Sequence, residues 1–175
     1  MIKPIHQYPA EVLTAKCVPV VPVGNSLTGA VKDAPLWGET INQFITDLTE
    51  TAESIRYRCL GLAANQIWDQ KEATPALFVM RWPIQNYKQW EWRTIINPII
   101  KSSGKKINQK EGCLSLQQPK ILETIKSRRA NVELQFQTPE SSEIQTIKFY
   151  GTLGPYARIV HHEYDHLQGT LCNER

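Results

Sequence analysis

Three of the chain's four histidines fall between His161 and His166. Two of them bracket the pattern His162-Glu163-Tyr164-Asp165-His166, and a spacing of four puts both imidazoles on one face of a helix. Imidazoles placed this way can hold one divalent metal, with the Glu163 carboxylate beside the open coordination position as a general base. That is the apparatus of metal-assisted hydrolysis. The bland alternative, ordinary histidines on a polar surface helix, requires the spacing to be accidental.

A catalytic site of this kind needs a third protein ligand, and two cysteines offer themselves. Cys113 sits in Glu111-Gly112-Cys113-Leu114-Ser115, where Gly112 permits an unusual backbone and the thiolate can project from a loop or strand edge. Cys172 closes the run HEYDHLQGTLC, which has metzincin spacing with cysteine in place of the last histidine. The two choices imply different enzymes. Both methionines, Met1 and Met80, precede the motif and the sequence ends at Arg175, so the downstream Met-turn of a metzincin is not expected. Cys172 then reads as a small buried apolar residue.

A further segment, Gly61-Leu62-Ala63-Ala64-Asn65-Gln66, combines small residues with an amide. Small side chains let a substrate backbone approach, and a Gln amide can donate to an oxygen that becomes negative in a tetrahedral intermediate. Taken alone, a Gly-Ala-Ala stretch after a helix is more often just tight packing.

Several elements must position these residues. Ile41, Phe44, Ile45, Leu48, Ala52 and Ile55 recur at steps of three and four, which predicts an amphipathic helix from Leu36 to about Arg58, ended by Gly61. Ala76 to Met80 and Thr94 to Ile100 read as strands. Val132, Leu134 and Phe136 alternate with polar residues, residues 138–142 turn the chain, and Ile147 and Phe149 alternate again, the pattern of a hairpin. Gly154-Pro155 starts the helix of the histidine motif and Gly169 stops it. The class is α+β.

No internal repeat or linker divides the 175 residues, so a single catalytic domain over 1–175 is expected. A net charge of +3 is too small for a nucleic-acid footprint, and Lys105-Lys106 and Arg128-Arg129 read as solvated surface. No apolar run suits a signal peptide or a membrane span. The four cysteines are widely spaced without a CxxC pair, which suggests reduced thiols and a cytoplasmic setting.

Taken together and in this order, the GLAANQ, EGCLS and HEYDH segments resemble the peptide deformylase family. Ile5-His6-Gln7-Tyr8-Pro9 with Val12-Leu13 is similar to the family's N-terminal entry, and Ile96-Asn97-Pro98-Ile99 to its central strand, so the likeness runs almost end to end. It implies a fold with antiparallel sheets around a central HExxH-bearing helix. It also implies removal of the formyl group from the N-terminal formylmethionine of nascent polypeptides, which are met transiently at the ribosome. By the same resemblance Cys113, His162 and His166 bind the metal, ferrous iron first with zinc or nickel as substitutes, and Glu163 is base and acid. Gln66 and the backbone N–H of Leu114 stabilise the oxyanion, and Gly61 contacts substrate. Ile125 and Ile159 are expected in the wall of the side-chain pocket, and the enzyme is expected to be a monomer.

The sequence departs from the family pattern at four positions. Cys59 replaces a second glycine, Asn65 a proline or threonine, His161 a glutamine and Gln117 a proline. The sequence stops soon after the catalytic helix, so the further helix that many bacterial members use at the ribosome is not expected here.

Overall fold

Alternation along one strand decides the architecture. The computed structural model describes residues 1–22, 38–69, 73–85, 88–117, 121–151 and 155–173, with the backbone alone at 117, 121 and 122. Strand β2 (Leu77–Ile84) places Leu77 and Val79 in one apolar cluster and Phe78, Met80 and Trp82 in another. A strand that is apolar on both faces must be covered on both. Helix α1 (Glu39–Ser54) covers the first with Phe44, Ile45, Leu48 and Ala52. Helix α2 (Tyr156–Leu167) covers the second with Ala157, Ile159, Val160 and Leu167. Strand β1 (Gly61–Ala63) repeats the division, Leu62 joining the α1 cluster and Ala63 the α2 cluster.

The sheet is antiparallel and five-stranded, in the order β1-β2-β3-β4-β5, with β3 at Gln89–Gln117, β4 at Ile121–Thr138 and β5 at Ser141–Phe149. The α+β class holds, with the strands joined in one continuous sheet. The hairpin of β4 and β5 turns through residues 139–140. The strand expected from Thr94 to Ile100 is one part of β3, which bends where the register with β4 shifts between Ile96 and Ile99. Asn97 adopts φ 50° there, a left-handed conformation that a short polar side chain tolerates. Its Oδ1 accepts the Val20 N–H at 2.8 Å and its Nδ2 donates to the Val20 carbonyl at 2.7 Å.

The first helix is shorter than its periodicity predicts. It stops at Ser54, residues 55–58 form turns, and Gly61 opens β1 opposite Met80 instead of capping the helix. Leu36 lies outside the described residues. Pro155 occupies the cap position of α2 and Gly154 lies outside the described residues; after Leu167 the chain reaches Gly169 at φ +74°, the left-handed residue that ends a helix. A Cβ at Gly169 would collide with the Thr14 carbonyl, so the end of α2 is packed on the N-terminal segment. Among the described residues no helix is long and apolar enough to cross a membrane.

Candidate active site

Helix α2 presents His162 and His166 one turn apart, with ring centroids 5.1 Å from each other. Strand β3 supplies Cys113 where its register with β4 breaks between Gly112 and Gln117. The Cys113 Sγ lies 3.2 Å from His166 Nε2. One ligand atom from each of Cys113, His162 and His166 falls within 4.8 Å of the others, a group able to hold a metal ion among the described residues. Cys172 is not in that group. It packs beside Cys113 in an apolar cluster with Leu13, Leu116 and Leu171. Its hydrogen bond to Cys113, together with burial, holds the Cys113 thiol far above its ordinary range, so a cation on the sulfur is what would release the proton.

The imidazoles suit such a cation. His166 is pushed well down by burial and by neighbouring His162, which keeps it neutral, the form that ligates. His162 Nδ1 stands 3.2 Å from Glu111 Oε2, a contact that leaves Nε2 for the metal. Burial would lift the Glu111 carboxyl, but hydrogen bonds from His162 and Arg128 and the guanidinium charge outweigh it and hold it far below the usual carboxylate range. Two imidazoles and one sulfur form a donor set for a transition metal rather than for magnesium or calcium.

Glu163 lies between the two histidines on α2 and is buried with Oε2 lacking a partner among the described residues. Burial raises its carboxyl to about 7, the range in which a group can both take and return a proton near neutrality. The chain makes room for it at Gly61: a Cβ there would fall 2.6 Å from Glu163 Oε1 and 2.8 Å from its Cδ. Gln66 Oε1 accepts the Ala63 N–H at 2.9 Å, while Nε2 donates to Ser115 Oγ at 3.1 Å and reaches within 4.0 Å of Cys113 Sγ. The amide is therefore aimed at the ligand group by its own turn and by Ser115.

A cavity of about 320 Å³ opens on these residues, lined by Gly61, Gln66, Leu114, Ile159, His162 and Glu163 together with Cys59, Leu60, Glu111 and Arg158. Ile159, named from the sequence, is among these lining residues. Ile125 is 71% exposed on β4 and absent from the lining, although its strand partner Lys110 and Glu123 on the same strand are part of it. Cys59 donates to the Gly61 carbonyl at 3.1 Å, and burial pushes its thiol up to about 12. The side chain of Gln117 lies outside the described residues.

Three residues near the ligands had no role in the sequence reading. Glu111 was visible in the EGCLS segment, two positions before Cys113 and hence on the same side of a strand. Arg128, read as surface, is 11% exposed: it grips Glu111 at 2.9 Å and Asp165 at its other end. Asn65 is wholly buried, its Nδ2 donating to the His166 carbonyl at 2.7 Å and to the Leu13 carbonyl at 3.3 Å. It joins the GLAANQ turn to the metal-facing helix.

The sequence signature of the family described as polypeptide deformylase matches residues 2–175. The chain belongs to the polypeptide deformylase family. It is 30% identical over 177 aligned residues to a peptide deformylase of Chlorobaculum parvum, covering 100% of this chain and 80% of that one. It is 32% identical over 172 residues to a Neisseria meningitidis peptide deformylase, covering 98% and 84%. Among solved structures, the Ehrlichia chaffeensis peptide deformylase superposes with a TM-score of 0.73 at 27% identity, over 98% of this chain and 86% of that one. The Thermotoga maritima enzyme superposes at 0.71 with 23% identity, over 98% and 95%. Deformylases are metal-dependent hydrolases of the formyl group on nascent peptides, and the convergent Cys–His–His group is where this family member has donors for a metal.

Proposed function

We propose that this chain removes the N-formyl group from formylmethionyl peptides as a single catalytic domain, with Cys113, His162 and His166 holding the metal and Glu163 moving the proton. The observation that carries this reading is the buried Glu163 carboxylate, set beside three convergent donor atoms and given space by Gly61.

A divalent ion at this site, when bound, supplies Lewis acidity that brings water toward ionisation near neutral pH. Glu163 takes the proton from the attacking water and returns it to the leaving amine, so that formate and a free N-terminal methionine result. Gln66 Nε2 and the Leu114 N–H donate to the formyl oxygen as it gains charge, each such donor contributing about 3 kcal/mol in the transition state. The methionine side chain fits the cavity wall made by Leu60, Leu114 and Ile159. Ferrous iron is the metal proposed, with zinc or nickel able to replace it, since one thiolate and two imidazoles accept all three. The working form is a monomer in the cytoplasm that meets its substrates at the ribosome.

The test uses two substrates and two cysteines. Formyl-Met-Ala-Ser should be deformylated while casein is left intact. Cys113→Ser should lose most bound metal and activity, whereas Cys172→Ser should keep both. Casein cleavage, or metal loss in Cys172→Ser alone, would restore the metzincin reading.

A further inference from the structure

Arg158 lies one turn before His162 on α2 and lines the cavity, yet nothing in the deformylation chemistry above uses it. Its side chain is 14% exposed and is paired with Glu111. Nη1 donates to Glu111 Oε1 at 2.5 Å and to the Lys126 carbonyl at 3.3 Å, and Nη2 donates to the Ile107 carbonyl at 3.0 Å. Those carbonyls belong to β4 and β3, so one planar group ties the first turn of α2 to both strands of the arm.

Glu111 receives a second arginine as well. Arg128 Nε reaches Oε1 at 3.0 Å and Nη2 reaches Oε2 at 2.9 Å, leaving Oε2 shared between Arg128 and His162 Nδ1. Arg128 is also paired with Asp165, so Arg128 and Arg158 together balance two carboxylates, Glu111 and Asp165. Beyond its charge, Arg158 adds a fixed point. Arg128 approaches from β4 alone, whereas Arg158 comes from the helix that carries His162, and its fork is anchored on two backbone carbonyls. Oε1 is thus held from α2 as well as from β4, which adds to the Arg128 fork in keeping Oε2 turned toward the imidazole.

We propose that Arg158 is a positioning residue for the metal ligand His162, acting through Glu111 from the wall of the substrate cavity. The inference rests on the metal site of the proposed function. A group that orients a ligating histidine typically sets metal affinity by about 10–100-fold. A lysine, with a point charge in place of the planar fork, can keep the Glu111 contact but not both carbonyls.

The experiment compares Arg158→Met, which keeps the apolar stem in the cavity wall, with Arg158→Lys and the parent enzyme. Zinc affinity is read by chelator competition, and the His162 Nδ1–H proton by NMR of the zinc form. Arg158→Met is expected to bind zinc about 10–100-fold more weakly and to lose the protected proton signal, with Arg158→Lys between the two. Parent-like zinc affinity and an intact proton signal in Arg158→Met would overturn the proposal and leave Arg158 as a helix brace. Should that variant fail to fold, Arg158→Lys decides: weaker zinc binding supports the role and unchanged binding removes it. Weakened zinc affinity in a protein whose parent shows no deformylation would sustain the role of Arg158 while refuting the function proposed above.

Discussion

The two helices cover opposite faces of one sheet and bury different things. Helix α1 buries Phe44, Ile45, Leu48 and Ala52, and its two buried polar residues are satisfied: Thr51 Oγ1 donates to the Asp47 carbonyl, and Asp47 accepts from Gln43. Helix α2 buries Ala157, Ile159, Val160 and Leu167 together with His161, Glu163 and His166. On α2, Glu163 Oε2 and His166 Nδ1 have no hydrogen-bond partner among the described residues. An unpaired buried polar atom costs about 1–3 kcal/mol, so these two atoms call for a partner that the fold itself does not supply. The difference teaches where to look for chemistry: both helices are amphipathic, and only one carries polar groups that its own fold leaves unanswered.

The sharpest way to break that contrast is at Glu163. Replacing it with Gln keeps the shape and the three donor atoms, so at matched metal occupancy kcat for formyl-Met-Ala-Ser should fall by about 10²–10⁴-fold with little change in KM. Equal rates would make α2 as purely structural as α1.

The converse change is Leu48→Ala on α1, at a position with no exposure. It should lower unfolding free energy by about 2–5 kcal/mol and leave kcat intact at temperatures where the variant is folded. A large kcat effect would mean that the α1 face also shapes the site.

A third test uses pH on the metal-free protein. The folded value for Glu163, about 7, lies above its ordinary 4.5. Its favourable contribution is therefore complete below the ordinary value and is lost as pH rises through the folded one. The stability of the parent relative to Glu163→Gln should drop by roughly 3 kcal/mol between about pH 4 and pH 8. A flat difference in denaturant titrations would show that burial does not penalise this carboxylate.

The smallest expected effect is at Gly61. An Ala there must displace Glu163, and a misplacement near 1 Å costs up to about 10²-fold. Activity of Gly61→Ala close to the parent's would mean that α2 yields to β1 more readily than the contact suggests.

Much of this was legible because its signals are local. The spacing of His162 and His166, the periodicity of α1 and the alternation in β4 and β5 each lie within one element. The arm was not legible: residues 101–106 are exposed throughout, and 108–110 likewise, so β3 shows no apolar alternation there and reads as irregular chain. Arg128 was misread for a related reason. An arginine in a polar stretch looks solvated until Glu111 and Asp165, from β3 and α2, close on it. The roles of Asn65 and Arg158 are likewise made by tertiary approach, as is the use of Gly61 to admit Glu163 rather than to cap a helix.

The N-terminal segment bears on when this site comes into being. The His6 N–H donates to the Gln66 carbonyl at 2.7 Å, the Tyr8 N–H to the Ser115 carbonyl at 2.9 Å, and Gln7 Nε2 to the Leu114 carbonyl at 3.0 Å. The Cys17 N–H donates to the Leu167 carbonyl at 2.9 Å, on the last turn of α2. Residues 6–17 thus buttress a turn and a strand made after them and a helix made later still. Contacts of such sequence separation form late in folding, after the loops between them have closed. A copy of this chain still in synthesis therefore has no assembled site until α2 has emerged from the ribosome and docked on the segments made before it.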